Sequence, residues 1–138
     1  MARDVTIVVV TEDESHVTLV KKNLRLAGVE NEIIQFTSGE EILNFMLRRG
    51  PGPHRDVKTD FLLILDTKIP KTDGIEVLRQ IKQDDEIQKI PVIMLTTSED
   101  HEEMVQCHIL GCSDYLKKPV DFNVLEKTVK EAGLFTLS

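Results

Sequence analysis

The side chains of this chain that could do chemistry stand where short apolar runs stop. Phe61-Leu62-Leu63-Ile64-Leu65 ends at the carboxylate of Asp66. Val5-Thr6-Ile7-Val8-Val9-Val10 is followed by the acids Glu12, Asp13 and Glu14. Ile90-Pro91-Val92-Ile93-Met94-Leu95 ends at the hydroxyl of Thr96, and Ser113-Asp114-Tyr115-Leu116 leads into Lys117-Lys118-Pro119. Strands that run in one direction end at one edge, so parallel pairing would gather Glu12, Asp13, Asp66, Thr96 and Lys118. Three carboxylates at one place repel one another and need a cation. Oxygen donors with positions left for water suit Mg²⁺. A hydroxyl and an ammonium beside them are what an incoming phosphoryl group needs, because its charge is shared among metal, lysine and hydrogen-bond donors as it moves. Asp66 is then the phosphate acceptor. Taken singly, an acid after a strand is a helix cap, a threonine is a turn residue and a lysine is solvated. Their joint occurrence at four strand ends carries the reading.

The elements that must position these groups alternate. The run into Asp66 is unbroken and bounded by turn residues, Lys68-Ile69-Pro70 and Asp73-Gly74. Such a run reads as a strand buried on both faces in the middle of a parallel sheet. Residues 5–10 form a first, β-branched strand. A helix follows over about 15–27 with Val17, Val20, Leu24 and Ala27 on one face and Gly28 as its left-handed stop. Residues 32–36 are a second strand. Ser38 and Glu41 form a capping box for a helix whose apolar side is Ile42, Leu43, Phe45, Met46 and Leu47. Two glycines and two prolines in Gly50-Pro51-Gly52-Pro53 then exclude regular structure, so a long loop runs to about residue 59. Its basic residues, Arg48, Arg49, His54 and Arg55, read either as a partner patch or as a plain solvated loop.

Gly74 opens a helix with Ile75, Val77, Leu78 and Ile81 facing inward. Residues 90–95 are a fourth strand, with Pro91 tolerable at its start. Ser98 is the expected cap of a helix carrying Met104, Val105, Ile109 and Leu110 and stopping at Gly111. Residues 113–116 are a short fifth strand. A last helix over about 121–132 buries Val124, Leu125 and Val129, and the tail from residue 133 is too short for another element. Strand and helix repeated five times imply an α/β fold, a five-stranded parallel sheet covered on both faces.

At 138 residues, 41% hydrophobic and 30% charged, the composition fits one globular domain spanning 1–138. The formal charge of -7 argues against nucleic acid or an anionic membrane as the main partner, since either favours a basic face. No apolar run approaches a membrane span, and Met1-Ala2-Arg3-Asp4 does not open a signal peptide. Cys107 and Cys112 lack a zinc-like partner set and read as two reduced thiols of a cytoplasmic protein. A nucleotide-binding glycine loop is absent.

The motif set resembles the receiver domain of two-component response regulators. The resemblance rests on Val10-Thr11-Glu12-Asp13-Glu14, on Leu65-Asp66-Thr67-Lys68-Ile69-Pro70-Lys71-Thr72-Asp73-Gly74, on Val92-Ile93-Met94-Leu95-Thr96-Thr97-Ser98 and on Asp114-Tyr115-Leu116-Lys117-Lys118-Pro119-Val120-Asp121. It covers essentially the whole chain. It implies the flavodoxin-like (βα)5 fold with strand order 2-1-3-4-5. It implies that Asp66 takes a phosphoryl group from the phosphohistidine of a sensor kinase, and that Asp13, Asp66 and the backbone carbonyl of Lys68 ligate Mg²⁺ with Glu12 acting through water. Lys118 would pair with the phosphate, with Pro119 after a cis bond. Thr96 would swing in to donate to a phosphoryl oxygen, and Tyr115 would follow into the vacated space, a switch biased by a local charge change. Thr67 and Lys68 depart from the usual apolar or Asn choices and bear on the lifetime of the phosphorylated state.

Within the family, the long loop, the Ile69-Pro70-Lys71 run and Lys118-Pro119-Val120-Asp121-Phe122 are similar to small stand-alone regulators that partner phytochrome kinases, although this sequence lacks their longer C-terminal segment. The partners implied are a sensor histidine kinase, which could be a bacteriophytochrome, and a histidine phosphotransfer protein; a homodimer stays open. With no output domain in the sequence, the output would be protein–protein, as a diffusible effector or a phosphate shuttle. An enzymatic phosphatase of the aspartate-nucleophile type would want a second Asp at position 68, where Lys68 stands. The chain is therefore read as a switch and not as an enzyme, beyond catalysing its own aspartyl phosphorylation and dephosphorylation. The alternative is a pseudo-receiver, a binding module that is never phosphorylated.

Overall fold

The computed structural model describes residues 5–134, so the opening tetrapeptide and residues 135–138 of the expected tail lie outside the described residues. In chain order the elements are β1 (Val5–Val10), α1 (Glu14–Leu26), β2 (Ile33–Phe36), α2 (Gly39–Leu47), β3 (Asp60–Asp66), α3 (Gly74–Gln83), β4 (Val92–Thr96), α4 (His101–Leu110), β5 (Asp114–Lys117) and α5 (Phe122–Val129). The strands form one sheet in the order β2-β1-β3-β4-β5, and every pairing is parallel. This is the order the resemblance implied.

Two cores follow from the period-2 alternation of buried strands. Val8, Val10, Leu63, Leu65, Val92 and Met94 face one side and pack with Ile42, Met46, Val77, Leu78, Ile81 and Cys107. Ile7, Val9, Leu62, Ile64, Ile93 and Leu95 face the other and pack with Val20, Leu24, Leu125 and Val129. Both faces of β1, β3 and β4 are covered, which is why those strands read as unbroken apolar runs. Pro91 precedes β4 and still serves the sheet, because its carbonyl accepts from Leu63 N at 3.0 Å.

Several helices differ from expectation. Asp100, not Ser98, caps α4, accepting from Glu102 N at 2.9 Å; Ser98 Oγ instead accepts from Asp100 N at 2.9 Å. The buried residue of α4 is Cys107, while Val105 and Ile109 are 41% and 78% exposed. Residues 105 and 109 share a helical stripe, but α4 is turned so that this stripe points to solvent. Val124 of α5 is likewise exposed, and only Leu125 and Val129 of the expected trio are buried. Beyond Val129 the chain widens into a π-helical turn, Lys130–Leu134, where the sequence suggested helix and then tail. Gly28 stands just past α1 at φ +89, as expected.

The loop after α2 is neither a free basic patch nor simply solvated. Arg55 is buried, its Nε donating to Met46 O at 2.7 Å and its backbone N to Phe45 O at 3.0 Å. Arg48 and Arg55 both approach Glu86, at 3.5 and 3.6 Å. Arg49 donates to Gln80 Oε1, and His54 Nε2 contacts Gly50 O at 2.9 Å. The guanidiniums are spent on fastening the loop to α2, α3 and the turn after α3.

The turn from β3 to α3 folds tightly over the end of its strand. Gly74 N donates to Thr67 O at 2.9 Å, and a Cβ added at Gly74 would lie 2.2 Å from the backbone oxygen of Asp66. Asp73 caps the helix through Ile75 N at 2.7 Å. A methyl group at Gly74 must therefore push back the backbone that carries Asp66. Gly74→Ala is expected to cost about 1–3 kcal/mol, the usual scale of overpacking, read as a lowered urea midpoint; an unchanged midpoint would show that the turn yields freely.

Candidate functional site

The four strand ends do meet at one edge. Asp66 is the last residue of β3, in register with Leu95, and Thr96 ends β4 in register with Lys117. Lys118 N donates to Thr96 O at 2.7 Å, which fixes the backbone just past β5 against β4. From there Lys118 Nζ reaches Asp66 Oδ2 at 2.8 Å. The peptide bond between Lys118 and Pro119 is cis. Asp66 is buried and the Lys118 side chain is 23% exposed. For a pair this buried, desolvation largely offsets the attraction. The pair adds little to net stability, and its consequence is positional: an ammonium is held on the carboxylate at the strand end.

Asp13 follows β1 and caps α1, its Oδ1 accepting from Ser15 N at 3.0 Å, Ser15 Oγ at 2.6 Å and His16 N at 3.3 Å. The Ser15 hydroxyl, first among these, holds the Asp13 carboxyl below its ordinary range. His16, which the sequence analysis did not single out, lies within the electrostatic reach of the cluster. Burial lowers its pKa, the positive charge of Lys118 lowers it further, and Asp66 and Asp13 pull the other way. One imidazole thus feels all three charged groups. Both its ring nitrogens are shielded from solvent and lack a hydrogen-bond partner. Glu12 is exposed and lines an open depression of about 500 Å³ with Thr67, Lys68, Pro70 and Asp73.

The groups the resemblance names as metal ligands, the carboxylates of Glu12, Asp13 and Asp66 and the carbonyl of Lys68, are all oxygen. That chemistry fits a hard divalent cation. Among the described residues, no three His, Cys, Asp or Glu side chains are drawn together closely enough to count as a metal cluster.

Thr96 and Tyr115 meet through a residue that carried no sequence signal. Thr96 Oγ1 donates to Glu103 Oε1 at 2.9 Å, and Tyr115 OH donates to the same oxygen at 2.8 Å. Thr67 Oγ1 donates to Thr96 Oγ1 at 3.1 Å, and so does Ser98 N at 2.9 Å. Glu103 reads in sequence as one more acid in the first turn of a helix. Only the fold turns it toward β5.

Residues 7–130 match the response regulator receiver domain family, and the chain belongs to that family. It is 33% identical over 131 residues to the "probable methanogenesis regulatory protein FilR2" of Methanothrix harundinacea, covering 94% of this chain and 83% of that one. It is 30% identical over 131 residues to the response regulator Rcp1 of Synechocystis sp., covering 95% and 88%. The crystal structure of Rcp1 in a Mn²⁺-bound form superposes with a TM-score of 0.79 at 27% identity, over 96% of each chain. The bacteriophytochrome response regulator RtBRR superposes with a TM-score of 0.83 at 30% identity, over all of this chain and 82% of the other. The resemblance read from the motifs, including its likeness to stand-alone phytochrome response regulators, is borne out.

Tyr115 is the sole tyrosine and the chain has no tryptophan, so its ionisation can be read without interference. Burial, then the hydrogen bond to Glu103, pushes its phenol up from 10 to about 12. The folded state therefore keeps this proton to higher pH than the unfolded chain. The stability it contributes is complete below pH 10 and is lost as pH rises toward about 12. Alkaline absorbance titration should show tyrosinate forming well above 10, and earlier in Glu103→Gln. A wild-type midpoint at the ordinary value would mean that Glu103 does not hold the phenol.

Proposed function

We propose that this protein is a stand-alone response regulator in which Asp66 accepts a phosphoryl group from a sensor histidine kinase and the change alters protein–protein contacts. The observation that carries the reading is the contact between Lys118 Nζ and Asp66 Oδ2 at the sheet edge of a receiver fold. An Asp66 oxygen attacks phosphorus, a P–O bond forms, and the P–N bond to the donor imidazole breaks. Lys118 offsets the charge that gathers on the phosphoryl oxygens, and the hydroxyl of Thr96 is the donor within reach of the same edge. Glu12, Asp13, Asp66 and the carbonyl of Lys68 would hold Mg²⁺, which supplies further charge neutralisation when bound. Thr96 and Tyr115 form the switch, since both already end on one acceptor.

The likeness to the bacteriophytochrome response regulator RtBRR supports a phytochrome-type kinase as the donor. A histidine phosphotransfer protein or a second copy of the chain is the further partner the reading allows; Val105 and Ile109 of α4 are exposed apolar residues open to such a contact. No helix among the described residues is long and apolar enough to cross a membrane. Both cysteines are buried and free, with their thiols pushed up to about 12 for Cys107 and about 11 for Cys112, chiefly by burial, so neither is primed as a nucleophile.

Acetyl phosphate with Mg²⁺, followed by intact-mass measurement, tests the reading. Wild type should gain one alkali-labile phosphoryl group, and Asp66→Asn none. An adduct that survives in Asp66→Asn moves the acceptor elsewhere. A wild type that never reacts, nor binds beryllofluoride, favours the pseudo-receiver.

A further inference from the structure

The hydroxyl of Thr96 has no capacity to spare. A hydroxyl owns one proton and two lone pairs. The backbone N–H of Ser98 can only donate, so it takes one lone pair at 2.9 Å. An ionised carboxylate can only accept, so the Thr96 proton goes to Glu103 Oε1 at 2.9 Å. Thr67, at 3.1 Å, is then the donor to the second lone pair. Every position is filled, and Thr96 is 2% exposed, so water does not exchange freely with these partners. A phosphoryl oxygen on Asp66 gains the Thr96 proton only if Glu103 gives it up.

We infer that Glu103 is a positioning residue for phosphorylation: its carboxylate competes with the phosphoryl group for the single proton of Thr96 and so sets how readily the activated state forms. The inference rests on the phosphoacceptor reading above and adds to it a residue that acts against the reaction. The same Oε1 accepts from Tyr115 OH at 2.8 Å, so release of Thr96 leaves that oxygen with the phenol as its remaining hydroxyl donor and changes what holds Tyr115. Thr67 completes the arrangement. It occupies the position after Asp66 and hydrogen-bonds Thr96 directly, tying the acceptor strand to the competed hydroxyl. The switch is thus an exchange of acceptors for one proton: a carboxylate in the resting state, a phosphoryl oxygen in the activated one.

The test is beryllofluoride titration in Mg²⁺, followed by the fluorescence of Tyr115, on wild type, Glu103→Ala, Glu103→Gln, Thr96→Ala and the double variant. Half-saturation in Glu103→Ala should fall about tenfold, the worth of one hydrogen bond to a charged group. Glu103→Gln, whose amide oxygen is a weaker acceptor, should fall between it and wild type. In the Thr96→Ala background the Glu103→Ala change should have no effect, because the contested proton is gone. A residue that merely packs α4 would shift unfolding midpoints in both backgrounds and would show no dependence on Thr96. Unchanged or raised half-saturation in Glu103→Ala, or an equal gain with and without Thr96, overturns the inference. Failure of wild type to bind, or equal binding by Asp66→Asn, overturns the phosphoacceptor reading itself, so the two failures are separable.

Discussion

An unpaired carboxylate after five buried apolar residues is a costly object, and the contact between Lys118 Nζ and Asp66 Oδ2 is what makes it tolerable. The rest of the structure is arranged to make that contact possible. β3 and β5 are separated in the sheet by β4, so the lysine must reach across one strand to find the aspartate. The backbone bond from Lys118 N to Thr96 O fixes its starting point. The glycine at position 74 lets the following turn fold down over the Asp66 backbone without a side chain in the way.

Register is the second constraint. Side chains alternate between the two faces of the sheet, so a slip of one residue in β3 would exchange Leu63 and Leu65 with Leu62 and Ile64 between the two cores. The strand cannot slip without unpacking both layers. The apolar run therefore acts as a ruler, and its end, where Asp66 stands opposite Leu95, is placed as firmly as the core itself. Burial on both faces thus fixes a polar group that belongs to neither.

These features explain what could be read from the sequence. The apolar runs, the helix stops and the residues closing each run are local signals, and the strands, the α1 stop at Gly28 and the gathering of Asp66 and Lys118 at one sheet edge came from them; their direct contact did not. The strand order came with the resemblance. What escaped depends on how a helix is rotated about its own axis. Val105 and Ile109 look like a core stripe, yet α4 presents Cys107 inward instead. The same rotation aims Glu103 at Thr96 and Tyr115, a contact no spacing rule announces. Arg55 escaped for a related reason: a loop of glycine and proline gives no hint that its last guanidinium will be drawn under α2 by the carbonyl of Met46.

The polar groups at the edge also serve more than one master, and this bears on how the switch can work. Asp13 holds the first turn of α1, and on the proposed reading the same carboxylate would also be asked to hold a metal. Thr96 satisfies a turn through Ser98 and a helix through Glu103. A group with filled hydrogen-bond capacity cannot gain a partner without losing one, so on the proposed reading activation would be an exchange of hydrogen-bond partners. Exchanges of that kind leave two arrangements separated by a small free energy, which is what a single phosphoryl group needs in order to tip the balance. Had Thr96 been left with an open lone pair or an uncommitted proton, binding a phosphoryl group would have added a contact without requiring α4 or Tyr115 to respond. If Asp66 takes a phosphoryl group as proposed, the completeness of the resting network is what would oblige Glu103 and Tyr115 to respond.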